Sequence, residues 1–131
     1  MKTAMGFLAI ALAIALAPLP AMSAEGRVSR GQFTSAILDR EPVDEITSID
    51  STIGKIFFFT ELRNLEDTTI THRWTHAGEV KAEIEFKVRG SRWRVYSSKT
   101  LLPEWIGDWK VEVLSEEGTV LGTYELKHSG S

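Results

Sequence analysis

The segment from Arg92 to Ser98 carries the most distinctive chemical pattern in the chain. Arg92, Arg94, Tyr96 and Ser98 recur at every second position, and side chains on a β-strand alternate between its two faces. A strand here would therefore place two guanidinium groups, a phenol and a hydroxyl in one outward row. Guanidinium groups form paired hydrogen bonds to carboxylates or phosphates and stack on aromatic rings. The row predicts binding of an anionic ligand, an acidic protein surface or charged sugars.

The same row has a second interpretation that involves no ligand. Arg92 and Arg94 could pair with Glu83 and Glu85 on a neighbouring strand, as cross-strand ion pairs. Such surface pairs are common and individually weak. The sequence leaves both interpretations open.

The chain also contains four tryptophans, and exposed tryptophan rings stack on sugars or anchor partners. Trp93 and Trp109 occupy the apolar phase of predicted strands and are expected in the core. Trp105 lies in a predicted loop and is expected either to be exposed or to plug one end of the fold. Trp74 shares the strand phase of His72 and is compatible with either position. The candidate ligand-binding and partner-binding residues are therefore Arg92, Arg94, Tyr96, Ser98, Trp105, Trp74 and His72.

Metal-binding patterns are weak in this sequence. On a strand that rises about 3.3 Å per residue, His72 and His76 lie roughly 13 Å apart, which is beyond the span of one metal ion. The acids of one predicted loop could offer oxygen ligands to calcium, but their spacing fits no calcium-loop motif and lacks its glycine. These acids are Asp39, Glu41, Asp44, Glu45 and Asp50. We therefore predict neither a metal site nor a cofactor.

Catalytic signatures are missing from the sequence as well. It has no cysteine nucleophile, no serine in a nucleophile-elbow motif and no glycine-rich phosphate loop. A pair of carboxylates facing each other across a groove, as in glycosidases, is a pattern that sequence alone does not reveal. We predict no catalytic residues and no enzyme, with a hydrolase as the remote alternative.

The N-terminus has the layout of a secretory signal peptide. Lys2 is its only charge, an apolar run of 13 residues ends at Ala17, and small residues and prolines follow as far as Ala24. A helix that spans a membrane needs about 20 apolar residues, which is longer than this run. We predict a cleaved signal peptide over residues 1–24 and a periplasmic or secreted domain over residues 25–131, without a permanent membrane span.

Length and charge limit what the mature domain can be. Its length suits one domain, and without cysteine a hydrophobic core alone must hold it together. Once Lys2 is removed, 14 basic residues remain against 18 acidic ones, which gives a net charge of −4 with neutral histidines. A nucleic-acid partner is not expected for a domain of this charge, nor is attachment to a membrane through a polybasic surface.

Alternation of apolar and polar residues predicts about seven short strands after the signal peptide. They are residues 31–38, 55–62, 68–76, 79–88, 92–99, 108–113 and 119–127. The strand at 55–62 has apolar residues on both faces, as a central strand would. No helical period competes with this pattern, which favours a single all-β domain, an antiparallel immunoglobulin-like β-sandwich.

Two of these strands carry specific predictions about which residues face the core. In the strand 79–88, apolar residues from Val80 onward alternate with charged ones. This pattern predicts that the apolar residues form one face against the core, the dry face of the strand. In the last strand we favour the register that buries Val120, Gly122, Tyr124 and Leu126 over the register that buries Leu121 and Thr123.

Several sequence blocks together match a known pattern. They are His72-Arg-Trp74, Arg92-Trp-Arg-Val-Tyr-Ser-Ser-Lys99, Trp105-Ile-Gly-Asp-Trp-Lys-Val-Glu-Val113 and the Gly118 hairpin, with Asp39-Arg-Glu-Pro42 and Phe58-Phe-Thr-Glu61 upstream. In these blocks the chain resembles the bacterial family called domain of unknown function 2914, over nearly all of its mature part. The resemblance implies a compact exported or envelope-associated domain, and it provides no catalytic or binding residues.

Taken together, the sequence favours a non-catalytic exported binding module of the cell envelope, in first place a protein-interaction domain. The alternative is a carbohydrate-binding module for envelope polysaccharide or peptidoglycan, with Trp105, Trp74 and Tyr96 as stacking platforms. The expected partner is accordingly an envelope protein or an envelope polysaccharide.

Overall fold

Two β-sheets pack face to face in residues 25–130, the part of the chain that the computed structural model describes. The predicted signal peptide, residues 1–24, lies outside this range, as does residue 131. The strands in chain order are β1 (Arg27–Thr34), β2 (Ile37–Leu38), β3 (Glu41–Pro42), β4 (Ser48–Ile49), β5 (Lys55–Arg63), β6 (Thr69–His76), β7 (Glu79–Lys87), β8 (Arg92–Thr100), β9 (Gly107–Leu114) and β10 (Val120–His128). Within residues 25–130, no helix is long and apolar enough to cross a membrane.

The strand order confirms the predicted all-β sandwich. One sheet has three strands in the order β1-β5-β8, and the other has five in the order β4-β10-β9-β6-β7. The paired long strands are antiparallel, whereas the two-residue β4 runs parallel to β10. β5 lies in the centre of the three-stranded sheet, as its apolar character on both faces predicted. Among the strands of residues 25–130, the short β2 and β3 pair only with each other.

The hydrophobic core lies between the two sheets and is rich in aromatic rings. The ring of Phe58 lies 5.0 Å from that of Phe33, which in turn lies 5.9 Å from the ring of Trp74 in the opposite sheet. Trp109 and Val111 of β9 are fully buried, in the phase predicted from the sequence. Truncating a buried ring of this size to alanine typically costs about 3–5 kcal/mol, so these contacts hold the two sheets together.

A β-bulge in β7 changes the predicted dry face of that strand. The register between β6 and β7 shifts between Trp74 and Thr75, which leaves Lys81 as the extra residue. A bulge reverses the facing of the residues beyond it, so Val80 turns outward and is 54% exposed. The prediction that Val80 lies on the dry face is wrong for this reason.

A second bulge corrects the prediction for β10. Its register against β9 shifts between Val120 and Gly122, so Leu121 is the extra residue. Val120 is 45% exposed, whereas Leu121 packs against the core. Tyr124 and Leu126 keep the predicted inward phase, and the favoured register is therefore correct beyond the bulge only.

The first strand also differs from its prediction. It runs from Arg27 to Thr34 instead of residues 31–38. The chain bends at Ser35 because the carboxylate of Asp44 accepts hydrogen bonds from the hydroxyl of Thr34 and from the hydroxyl and backbone N–H of Ser35. Side chains that bond nearby backbone in this way compete with a continued strand.

A buried polar network crosses the core and links the sheets. The ring of His72 on β6 contacts the hydroxyl of Thr60 on β5 at 3.0 Å and that of Ser97 on β8 at 2.8 Å. The Trp74 indole donates to the same Ser97 hydroxyl at 3.1 Å. Burial lowers the pKa of His72 from 6.5 to about 3, so the ring is neutral in the folded protein and has one donor and one acceptor to satisfy.

We predict that this histidine makes the fold less stable in acid. In the unfolded chain His72 takes up a proton near pH 6.5, whereas the folded protein does not protonate it until about pH 3. The unfolded state binds more protons in this window, so the free energy of unfolding should fall by about 1.4 kcal/mol for each pH unit below 6.5. Urea unfolding at a series of pH values between 6.5 and 4.5 measures this slope.

Two variants distinguish the effect of His72 protonation from the effect of losing one of its hydrogen bonds. His72→Phe removes the titrating group and should flatten the slope, whatever its effect on absolute stability. Ser97→Ala removes one hydrogen-bond partner but keeps the buried ring, so it should lower stability and retain the slope. A slope unchanged in His72→Phe would contradict this account.

Candidate functional site

Charged residues form a cross-strand row on the outer face of the three-stranded sheet. Glu61 of β5 lies directly between Arg30 of β1 and Arg94 of β8. Val95 and Ser97 of β8 are buried, so Arg94 points to the outside of the sandwich. This is the strand phase that the sequence predicted for the arginine row of β8.

A second row lies beside the first and contains only arginines. Arg63 of β5 pairs in register with Arg27 of β1 on one side and with Arg92 of β8 on the other. Like charges directly opposite each other destabilise a sheet, so this row requires neutralisation by neighbouring acids. We call the arginines of the two rows the arginine face. Its members are Arg27, Arg30, Arg63, Arg92 and Arg94.

A β-bulge in β1 sets the alignment of the first row. Val28 pairs with Leu62 and Arg30 pairs with Glu61, which leaves Ser29 as the extra residue. A regular ladder would place Ser29 opposite Glu61 and turn Arg30 toward the core. The Ser29 hydroxyl instead donates to the Glu61 carboxylate at 2.9 Å, so the bulge adds a donor to the site as well.

The carboxylate of Glu61 is the centre of the arginine face. Its Oε1 accepts hydrogen bonds from Nη2 of Arg30 at 2.9 Å and from Nε of Arg92 at 3.2 Å. Its Oε2 accepts from Ser29 and, at 3.2 Å, from Nε of Arg63. Glu61 is only 4% exposed. Burial acts to raise its pKa, but hydrogen bonds from the arginines and the serine outweigh this and hold the pKa at about 2.

A second carboxylate reaches the face from the short β2–β3 hairpin. Asp39 and Arg40 both have positive φ angles, 52° and 64°, as the two central residues of a type I′ turn require. The strand after this turn carries Glu41, whose carboxylate accepts two hydrogen bonds of 2.9 Å from Arg30 and a further one from Arg94. These hydrogen bonds, from Arg30 first and Arg94 second, lower the pKa of Glu41 to about 2.

The arginine face carries an excess of positive charge. Four of its five guanidinium groups contact the carboxylates of Glu41 and Glu61. Five positive charges against these two negative charges leave three in excess, although the chain as a whole has a net charge of −3. Within residues 25–130, Arg92 donates a hydrogen bond through Nε and has Nη2 in an ion pair with Glu61, and Arg94 donates through Nη1. Each guanidinium has five N–H donors, so both retain donors for a ligand.

The predicted ion-pair partners of these arginines are wrong. Glu83 and Glu85 lie on β7, which belongs to the five-stranded sheet, whereas Arg92 and Arg94 lie on the other sheet. Glu83 lies 4.0 Å from Arg73 of its own sheet instead. The sequence pattern identified the outward face of β8 but could not identify which distant strands supply its acids.

The exposed part of the β8 row continues beyond the arginines. Tyr96 is 46% exposed, and the edge of its ring meets the ring of Phe57 at 6.4 Å. Ser98 is exposed and follows on the same face. Four of the predicted site residues therefore form one continuous row, namely Arg92, Arg94, Tyr96 and Ser98.

Trp105 lies apart from this row and fills a gap in the fold. Its half-buried ring packs against the core, and its backbone carbonyl accepts a hydrogen bond from the indole of Trp109. The ammonium groups of Lys81 on β7 and Lys99 on β8 lie 5.9 and 5.6 Å from the ring centroid. Trp105 thus plugs the sandwich between these two edge strands, which is one of the two positions expected from the sequence.

Two of the predicted contact residues are inside the protein. Trp74 and His72 are fully buried, because both lie on the inward face of β6 and take part in the polar network of the core. Neither side chain is accessible to a ligand or a partner. Their assignment as candidate contact residues is therefore wrong.

A concavity of the described surface lies away from the arginine face. Its volume is about 350 Å³, and it is lined by Thr47, Asp108, Glu125, Leu126 and Lys127, none of which belongs to the arginine face. Within residues 25–130, no group of three or more histidine, aspartate or glutamate side chains is arranged to hold a metal ion.

Sequence reasoning missed the members of the site that lie outside β8. Arg27 and Arg30 are three residues apart, so a regular strand would place them on opposite faces, and only the bulge brings them together. Glu61 had one sequence signal: it is the single acid within a strand that is otherwise apolar on both faces. A charge in that position implies a buried ion pair.

We predict that Glu61→Gln destabilises the protein by about 2 kcal/mol, because it weakens the charged hydrogen bonds of a buried carboxylate while its arginine partners remain partly hydrated. The ordinary pKa of a glutamate is 4.5, whereas the pKa of Glu61 in the folded protein is about 2. Its stabilisation is therefore fully present above pH 4.5 and is lost as the pH falls toward 2, and the variant should lack this pH-dependent part. Urea unfolding at neutral pH and at pH 3 measures both effects.

Glu41→Gln is the matched control, because it removes the same charge from a more exposed carboxylate. It should destabilise the protein less than Glu61→Gln does. Equal losses in the two variants would contradict the view that the buried carboxylate holds the arginine face together.

Comparisons of this chain with curated proteins and with solved structures do not identify its function. No curated protein matches the chain. Among solved structures, a crystal structure described as endonuclease/exonuclease/phosphatase from Beutenbergia cavernae DSM 12333 is similar at a TM-score of 0.35 and 12% identity. That match covers 78% of this chain and only 35% of the other chain, and at this TM-score it supports no conclusion.

A family model described as "Protein of unknown function (DUF2914)" matches residues 67–127. This segment contains β6 to β10 and therefore Arg92 and Arg94, whereas Glu41 and Glu61 precede it. The description names no enzymatic activity. Over residues 67–127 the chain is similar to this family, which supports the resemblance seen in the blocks from His72 to the Gly118 hairpin.

Proposed function

We propose that this protein is a non-catalytic, exported binding module of the cell envelope whose arginine face recognises an acidic segment of a partner protein. Export rests on the predicted signal peptide over residues 1–24. Recognition rests on one observation, the excess of three positive charges on one face of a chain that is acidic overall. A concentrated charge of one sign attracts partners of the opposite sign and orients them on approach.

The geometry of the face supports binding because the guanidinium groups are already in place. Arg30 donates to both Glu41 and Glu61, and its guanidinium lies 5.0 Å from the ring centroid of Phe59. Side chains held in this way lose little conformational freedom when a ligand arrives. Donors remaining on Arg92 and Arg94 suit the paired oxygens of a carboxylate.

The same ion pairs argue against a catalytic role. A general acid or base works best with a pKa near the operating pH. The pKa values of Glu41 and Glu61 are held at about 2 by their arginine partners, so both stay ionised at neutral pH. His72 is enclosed in the core and is out of reach of a substrate, which leaves the hydrolase alternative without support at these groups.

The second candidate function is recognition of an acidic envelope polysaccharide, including the charged parts of peptidoglycan. One observation favours it: the exposed ring of Tyr96 continues the row of Arg92 and Arg94, and an aromatic ring beside cations suits an acidic sugar. The burial of Trp74 and the packing of Trp105 remove two of the three rings expected to stack on sugars.

We predict that Arg92→Gln combined with Arg94→Gln weakens binding of a fluorescent oligoglutamate peptide by about tenfold, as expected for the loss of two charge contacts of about 0.7 kcal/mol each. Fluorescence anisotropy at low salt measures the affinity, and raising the salt concentration should weaken wild-type binding. Glutamine can still donate to Glu61 and Glu41, so the fold should be retained.

The matched control is Lys87→Gln combined with Lys127→Gln, which removes the same charge from the five-stranded sheet. This control should bind like the wild type. Equal losses in the two double variants would mean that net charge alone drives binding, and the arginine face would then have no specific role. Tighter binding of oligogalacturonate than of oligoglutamate would favour the polysaccharide candidate.

A further inference from the structure

β8 differs from the other edge strands of the sandwich. It pairs with β5 on one side only, over all nine of its residues, in a register that runs without a shift from Thr100 opposite Lys55 to Arg92 opposite Arg63. Among the described edge strands, β1 and β7 each contain a bulge and β4 has only two residues. β8 is therefore the long regular edge in residues 25–130.

A regular edge strand has unpaired backbone N–H and C=O groups along its free side. Natural proteins usually protect such an edge with bulges, prolines, inward charges or a covering element. β8 contains neither a bulge nor a proline, although Lys99 provides an inward charge near its end. The edge from Arg92 to Ser98 therefore retains a backbone that can pair with an additional strand.

We infer that the partner is an extended acidic peptide that adds to β8 as a fourth strand of the three-stranded sheet. This inference rests on the proposed function and specifies how the arginine face binds. Residues two apart on a strand are about 6.6–6.8 Å apart, both in β8 and in a peptide paired with it. Acidic residues at alternate positions of the peptide would therefore meet Arg92 and Arg94, and the next residue on that face would meet Tyr96.

Charge complementarity favours an acidic peptide at the edge of β8 over a second copy of the chain. The outward side chains of β8 are Arg92, Arg94, Tyr96 and Ser98, and the whole strand contains no acid. A second β8 would bring arginines and no carboxylate to the edge. A strand with alternating glutamates would instead supply an opposite charge to each arginine, and opposite charges at paired positions stabilise a sheet.

The test uses synthetic peptides as long as β8 and the full mature protein. One peptide alternates glutamate and threonine, and a second has the same composition with its glutamates in one block. We expect the alternating peptide to bind about tenfold more tightly, because only its carboxylates share one face of a strand. Both peptides carry the same charge, so attraction by net charge alone gives equal affinities and would overturn the inference.

Backbone pairing is tested by methylating the peptide nitrogens. Successive N–H groups of a strand point to opposite sides, so every second N–H points to the same side. Methylation of the set that points to β8 should therefore block pairing, and methylation of the other set should not. With two nitrogens methylated in each case, we expect methylation within one set to lower affinity by about 30-fold, the effect of two lost hydrogen bonds at about 1 kcal/mol each, and methylation within the other set to leave affinity within about twofold. Hydrogen exchange of β8 amides should slow in the complex.

The outcomes separate this inference from the proposed function. If methylation of the two sets lowers affinity equally while Arg92→Gln with Arg94→Gln still weakens binding, strand addition is wrong, but recognition through the arginine face is retained. If the arginine variant binds the alternating peptide as tightly as the wild type does, both proposals fail. Dimerisation of the free protein through β8, seen by analytical ultracentrifugation and lost when proline replaces Tyr96 (Tyr96→Pro), would overturn the inference in favour of a second copy.

Discussion

The buried carboxylate of Glu61 makes the outer face of the three-stranded sheet possible. Three strands bring five arginines onto one face, and in one row three of them are direct neighbours. Such a row would repel itself without a shared counter-charge. Glu61 accepts hydrogen bonds from three of these arginines. Glu41, on the β2–β3 hairpin, accepts hydrogen bonds from two arginines of the face. The result is a surface of hydrogen-bonded side chains that still carries excess positive charge.

The central strand β5 connects this surface to the interior through adjacent residues. Thr60 points inward and contacts His72 of the opposite sheet, while Glu61 points outward to the arginines. One strand thus carries both the polar link between the sheets and the polar centre of the surface. Because successive side chains of a strand alternate in direction, a shift of β5 by one residue would exchange these two environments, and both networks therefore fix its register.

The parts of this arrangement that depend on local pattern could be predicted from the sequence. The two-residue period of β8 identified the outward row that includes Arg92 and Tyr96, and the period of β9 identified buried residues such as Trp109. The acids that pair with the row could not be predicted, because the contact between Glu61 and β8 depends on long-range register. Bulges at Ser29, Lys81 and Leu121 also reverse the facing of nearby residues, and a simple alternation pattern does not reveal them.

If the arginine face recognises a partner protein, that partner should lie beside it in the cell that makes this protein. Site-specific photo-crosslinking can capture such a partner, with a photoreactive phenylalanine replacing Tyr96 beside the arginines or Thr123 on the five-stranded sheet. We expect an adduct from position 96 that maps by mass spectrometry to an acidic segment, disappears with Arg92→Gln and Arg94→Gln, and is absent from position 123. Adducts that form equally from both positions, or that survive loss of the two arginines, would contradict recognition through the arginine face.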